Sequence, residues 1–329
     1  MPSVRTPTRP FFGAPVRSAP DADRSSAFAF IGIPTGSPYD ARGVFSPAAT
    51  APDHVREMSW EQECEEEIDH YDFDLGGPLM PSGARPQLVD YGDVIADPRD
   101  LEGSSAFATG AVRDALARGA MPLVVGGDDS IPPIVVRAYE GFGTLNVLHI
   151  DAHIDFRDEL RGVRDGYSSP IRRIRDLPWV GQIVQVGMRG VGSARPQEVE
   201  AALAAGNLIV RADDLHDLGV EHVTSAMSWK EPWFISIDVD GFDPSVTPGT
   251  GYPVPGGLTF RHGADLIRAV AGRGLLAGID ATEIYPERDV RGLTALAVLR
   301  WFAIAMGAAA RAAGREDAVL PWRAVSSPA

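Results

Sequence analysis

Eight short apolar runs alternate with longer stretches of helical pattern along this chain, and that alternation restricts its fold more than any other feature. The runs cover 27–33, 87–90, 121–125, 146–151, 182–186, 207–210, 233–238 and 275–282. Helical patterns lie between them at 47–58, 104–118, 131–139, 196–205, 259–271 and 292–311. Such alternation predicts an α/β fold, a parallel sheet with helices on both faces. Strands buried on both sides read as continuous apolar runs, as Asn146-Val147-Leu148-His149-Ile150 and Phe234-Ile235-Ser236-Ile237 roughly do. No repeat, low-complexity tract or linker divides the chain after residue 27, so 27–329 is expected to form one domain. Residues 1–26 are rich in Pro, Arg, Ser and Ala and have no apolar signal core. They are expected to be an arm, mobile or packed on a neighbour.

In open parallel sheets ligands bind beyond the carboxyl ends of the strands. Three motifs stand at such ends: Gly126-Gly127-Asp128-Asp129-Ser130, Asp151-Ala152-His153-Ile154-Asp155, and Ser236-Ile237-Asp238-Val239-Asp240 followed by Asp243-Pro244. Alternate residues of an extended chain share a face, so Asp151, His153 and Asp155 point one way, as do Asp238 and Asp240. Side by side, these ends gather carboxylates and an imidazole at one spot, which requires a compensating cation. Oxygen ligands with one imidazole suit a pair of divalent ions such as manganese, and hence activation of water for hydrolysis.

Composition narrows the partners. The formal net charge of -15 argues against nucleic acid or an anionic membrane surface. Cys64 is the only cysteine, which excludes an intrachain disulfide and fits a reducing, cytoplasmic setting. No run is expected to span a bilayer; the longest apolar stretch, 293–310, is broken by Arg300 and reads as a buried helix. His149, inside an apolar strand, reads as a hydrogen-bonded core histidine. Arg157, Arg161 and Arg164 read as a solvated loop, the acidic run 61–69 as a solvated face, and the six tryptophans mostly as packing.

The ordered series Gly-Gly-Asp-X-Ser, Asp-Ala-His-X-Asp and Ser-X-Asp-X-Asp-X-X-Asp-Pro resembles the ureohydrolase family of arginases, agmatinases and other guanidino hydrolases. Further matches are Gly32-Ile33-Pro34 with Tyr39-Asp40, Asp90-Tyr91-Gly92-Asp93, Pro248-Gly249-Thr250-Gly251 and Asp280-Ala281-Thr282-Glu283-Ile284-Tyr285-Pro286. The resemblance implies a three-layer α/β/α domain with a mostly parallel eight-strand sheet. It also implies assembly as a homo-oligomer, trimer or hexamer, with a hetero-oligomer as the alternative. Two divalent ions are implied, manganese or else nickel. Asp151 and Asp238 would bridge them, His153 and Asp240 would complete one position, and Asp155 with Asp129 the other. Glu283 would bind the guanidinium, and Asp155 would handle the proton of the leaving amine.

Two departures stand out. Asp129 occupies the place of a family histidine, adding negative charge to the site. Tyr167 stands near the place of a proton-transferring histidine, and a phenol with a pKa near ~10 is a poor neutral-pH shuttle. The chain also lacks the Asn- and Ser-rich loop by which arginases hold an α-carboxylate. The implied reaction is therefore hydrolysis of agmatine or another small guanidine to urea and an amine. The alternatives are an alkylguanidine or biguanide hydrolase of the metformin-hydrolase type, or a non-catalytic subunit that supports an active partner.

Overall fold

The computed structural model describes residues 3–17, 26–37, 39, 47–62, 66, 68–97, 99–191 and 194–313. Cys64, Asp40, Trp322 and part of the acidic run 61–69 lie outside them. The strands are β1 (Ser3–Arg5), β2 (Phe28–Ile33), β3 (Leu88–Ile95), β4 (Met121–Gly126), β5 (Leu145–Ile150), β6 (Val180–Met188), β7 (Leu208–Arg211), β8 (Trp233–Asp238) and β9 (Leu276–Thr282). They form one sheet in the order β1-β3-β2-β4-β9-β8-β5-β6-β7. Every pairing is parallel except β1 with β3. The eight expected strands are all present, and the ninth is the short antiparallel edge strand β1.

The central strands are apolar because both faces are covered. All six residues of β5 and all six of β8 are buried. The principal helices are α1 (Ala51–Glu61), α2 (Leu101–Ala117), α3 (Pro132–Arg137), α4 (Pro170–Arg175), α5 (Pro196–Ala204), α6 (Ala212–Leu218), α7 (Val220–Thr224), α8 (Phe260–Ala271) and α9 (Leu293–Ala313). α1, α8 and α9 pack together, and α2, α3 and α4 form a second group. α8 begins where the Thr259 hydroxyl accepts the His262 amide, and it buries Gly263, Ala264, Leu266, Ile267, Val270 and Ala271 along one stripe. The short helices α4, α6 and α7 were not expected, since fewer than two turns give no readable period.

α9 is long and apolar enough to cross a membrane by length and composition, and it is the buried core helix that the sequence leads one to expect. One expectation needs correcting. Residues 3–17 are not a loose arm, because they pack on their own chain. Phe11 and Phe12 are buried, and Phe11 stacks on Phe30 at 4.4 Å.

An ionic cluster ties this segment down. β3 runs beyond its expected end because a bulge at Gly92, with φ of 75°, carries the strand onward. The bulge places Asp90 and Asp93 on the buried guanidinium of Arg56, at 2.8 and 2.7 Å. Asp90 also accepts the Phe11 amide, and Asp93 pairs with Arg5 of β1. Removing one partner of a buried ion pair strands the other charge, so Arg56→Ala is expected to lower the unfolding free energy by ~3–5 kcal/mol. Urea denaturation of the two proteins checks this.

Candidate metal centre

Four neighbouring strands, β4, β9, β8 and β5, run parallel in the middle of the sheet, so their carboxyl ends open on one place. β4 delivers Asp128 and Asp129, β9 delivers Glu283, β8 delivers Asp238 and Asp240, and β5 delivers Asp151, His153 and Asp155. Asp128, Asp129, Asp151, Asp155, Asp238, Asp240 and Glu283 are all buried. The loops after β8 and β5 touch because Gly241 has no side chain; a Cβ there would lie 2.6 Å from the Asp151 nitrogen.

The Asp151 carboxylate divides its oxygens. Oδ1 lies 3.3 Å from His153 Nδ1, which is also 3.2 Å from Asp240 Oδ2. Oδ2 lies 3.3 Å from Nε2 of His149, which is 3.7 Å from Asp129 Oδ2. Two donor groups result, Asp151 with His153 and Asp240, and Asp151 with His149 and Asp129. Asp238 borders both: its Oδ1 accepts the Asp240 amide at 2.8 Å, and its charge is felt at His153. The charge of Asp155 acts on Asp129, Asp151 and His153.

Backbone and side-chain bonds hold these groups in place. The Asp129 amide donates to Glu283 Oε1 at 2.9 Å, and the Glu283 amide donates to the Gly127 carbonyl at 2.9 Å. The Thr282 hydroxyl donates to Asp129 Oδ1 at 2.7 Å. Arg189 donates to the carbonyls of Asp240 at 2.7 Å and Gly241 at 3.1 Å, pinning the loop after β8. Asp155 and Glu283 both have left-handed backbones, φ 40° and 60°, a conformation that costs a non-glycine residue of order ~1 kcal/mol or more. The Asp155 carbonyl is fixed by the amides of Ile171 and Arg172.

Electrostatics states the need for a cation. Burial and then neighbouring carboxylates push Asp151, Asp238 and Asp129 well above the usual carboxylate range. Burial followed by the Asp128 charge raises Glu283 to about 8. Burial raises Asp280, within β9, to about 8. Burial opposes charge on His153, but its bond to Asp240 and the surrounding acids outweigh this and raise it to about 9. The same ring keeps Asp240 below its ordinary value despite burial. The cluster is thus one that positive charge stabilises, and the donor set of hard oxygens with imidazoles fits divalent cations. Buried atoms with no hydrogen-bond partner among the described residues point the same way: Asp129 Oδ2, Asp151 Oδ2, Glu283 Oε2 and both ring nitrogens of His149.

Tyr167 stands outside the carboxylate cluster, on its wall. Its ring meets Tyr39 edge-on at 4.6 Å and lies 6.4 Å from Tyr252. Burial, then Tyr252, Tyr39 and Glu283, raise its pKa, so it keeps its proton. Tyr285, buried beside Glu283, is raised likewise, by burial and then by that carboxylate. The arginines after the His153 motif turn outward: Arg164 pairs with Asp158, and Arg157 lies 3.6 Å from Glu198. Sequence reasoning missed Thr282 and Arg189, whose contacts are non-local. It also took His149 for a hydrogen-bonded core residue, although its two-residue spacing from Asp151 put both on one face.

The pKa pattern has a consequence for stability. Glu283, Asp280 and His153 all have folded values above their unfolded ones, so each loses its stabilising contribution as pH rises toward the folded value. His149, held down to about 3 by burial, stays neutral above its unfolded value and adds no slope there. Chelator-treated protein is therefore expected to lose stability between about pH 6.5 and 9. Added manganese should raise the melting temperature more at pH 8.5 than at pH 6.5, as thermal melts with and without metal would record.

Comparison with known proteins agrees with this architecture. The arginase-family profile matches residues 27–307. Proclavaminate amidinohydrolase of Streptomyces clavuligerus is 34% identical over 214 residues, covering 63% of this chain and 68% of that protein. Human mitochondrial guanidino acid hydrolase is 31% identical over 294 residues, covering 86% of this chain and 77% of that protein. The solved proclavaminate amidinohydrolase structure superposes with a TM-score of 0.76 at 28% identity, over 94% of this chain and 98% of that one. A profile that takes in eight of the nine strands and every residue of the two donor groups places the chain in the arginase family, the ureohydrolases.

Proposed function

We propose that this chain hydrolyses a small guanidino compound to urea and an amine. The observation that carries this reading is Glu283. It is a buried carboxylate whose Oε1 accepts the Asp129 amide and whose Oε2 has no hydrogen-bond partner of normal geometry among the described residues, with the Tyr285 side chain beside it, at the rim of the donor groups. A planar guanidinium fits such a carboxylate, and its charge would draw Glu283 to the ionised form. Asp151, Asp238, Asp240, His153, Asp129 and Asp155 would hold two divalent ions, manganese being favoured over nickel where carboxylates outnumber imidazoles. When bound, such ions make a water molecule nucleophilic near neutral pH and neutralise developing charge. Glu283 holds the guanidinium carbon toward that water. Asp155 takes the water proton and returns it to the departing nitrogen. Tyr167 keeps its proton and donates a hydrogen bond.

The tyrosines favour a particular substrate class. The Glu283 charge acts on Tyr167 and Tyr285, and Tyr39 and Tyr252 lie against the Tyr167 ring. Aromatic faces beside a carboxylate suit a cation that carries apolar substituents. The reading therefore extends to alkylated guanidines and biguanides alongside agmatine and guanidinobutyrate.

Urea release across a panel of these guanidines tests the proposal. Manganese-loaded protein is expected to act on at least one, and Asp238→Ala to fall below detection while remaining folded. Normal turnover in Asp238→Ala would remove the metal-dependent reading. If the aromatic wall selects alkylated substrates, Tyr167→Ala should raise their KM about tenfold, as the loss of a desolvated cation–π contact of ~1–2 kcal/mol implies, while Tyr167→Phe, which keeps the ring and loses only the hydroxyl donor, should raise it less.

A further inference from the structure

Asp129 stands where the family resemblance leads one to expect a histidine, so the second donor group would have no imidazole if its ligands came only from the three loop motifs. His149 lies on the same face of β5 as Asp151, one row deeper in the sheet, opposite Ser236 of β8. Ser236 in turn faces Asp280 of β9. The His149 side chain is fully buried, and neither ring nitrogen makes a hydrogen bond among the described residues. Its Nε2 points between Asp151 Oδ2 at 3.3 Å and Asp129 Oδ2 at 3.7 Å, and both of those oxygens also lack a hydrogen-bond partner. Thr282 occupies the other oxygen of Asp129, so that carboxylate offers one free atom, on the side of His149.

Three unsatisfied buried atoms from three residues therefore face one another. Leaving a buried polar group unsatisfied is costly, so three together call for a common partner. Donor atoms about 2.1 Å from one ion lie ~3.0–3.4 Å apart, close to the spacings seen here. We infer that His149 is a metal ligand, and that the imidazole of the second position comes from strand β5 instead of the loop after β4. Each position then has one imidazole beside its carboxylates, with Asp151 between the two and Asp238 and Asp155 as further oxygen donors. His153 and Asp240 serve the first position, His149 and Asp129 the second. The departure at Asp129 is thus a relocation of the nitrogen ligand and not its loss.

The inference rests on the reading of the pocket as a metal centre, and the test separates the two. Purified full-length protein is stripped with chelator, reloaded with manganese(II) chloride, and assayed by elemental analysis and EPR. The wild type is expected to hold two ions per chain with a spin-coupled signal. His149→Ala should hold one, uncoupled, and the double variant Asp129→His with His149→Ala should regain the second by returning the imidazole to the loop. Circular dichroism establishes that each variant is folded. Two coupled ions in His149→Ala would overturn the ligand assignment and leave the metal centre standing; no ions in the wild type would overturn both. A readout free of that variant uses wild-type protein grown with isotope-labelled histidine. Pulsed EPR should then detect two inequivalent imidazole nitrogens on the manganese pair, and a single one would overturn the inference.

Discussion

Crowding of negative charge in a dry pocket is the constraint on which the rest of this structure depends. Four adjacent strand ends bring carboxylates to one point, and Asp129, Asp151 and Asp238 there are pushed up by burial and by their neighbours. Such a cluster persists only if something cationic shares it. The protein answers in part with its own His153, drawn up toward the imidazolium form by Asp240. The atoms of Asp129, Asp151, His149 and Glu283 that lack a hydrogen-bond partner among the described residues define the directions from which an external cation would be held.

Rigid surroundings enforce that arrangement. The donors sit at the ends of strands buried on both faces, and the loops that follow are held by backbone bonds and by the Arg189 guanidinium. Two residues of the pocket, Asp155 and Glu283, keep left-handed backbones that a free loop would relax. Holding them there places both carboxylates on the pocket side, an orientation that an ordinary extended turn would not give.

Much of this was legible in the sequence, for definable reasons. Long apolar runs in alternation with helical patterns report burial directly, so the eight parallel strands and the longer helices could be read. The motif acids could be read because alternation within a strand end fixes which side chains share a face. What escaped depended on distant pairing. β1 is three residues long and becomes a strand only through its partner β3. Arg56 sits in an unremarkable helical pattern, and its role appears only when a bulge in β3 turns two acids toward it. His149 looked like core because its neighbours are apolar; only the unfilled valences of the next strands reveal where its ring points.

The leading segment also bears on where this fold truly begins. The family profile starts at residue 27, whereas Phe11 lies against Phe30 and Phe302 and its amide caps Asp90. A chain cut at the profile boundary would uncover two interior rings and leave Asp90 with the Gly92 amide but without that of Phe11. The leader thus works as a stopper in the wall of the domain, keeping solvent from the sheet at a place remote from the chemistry.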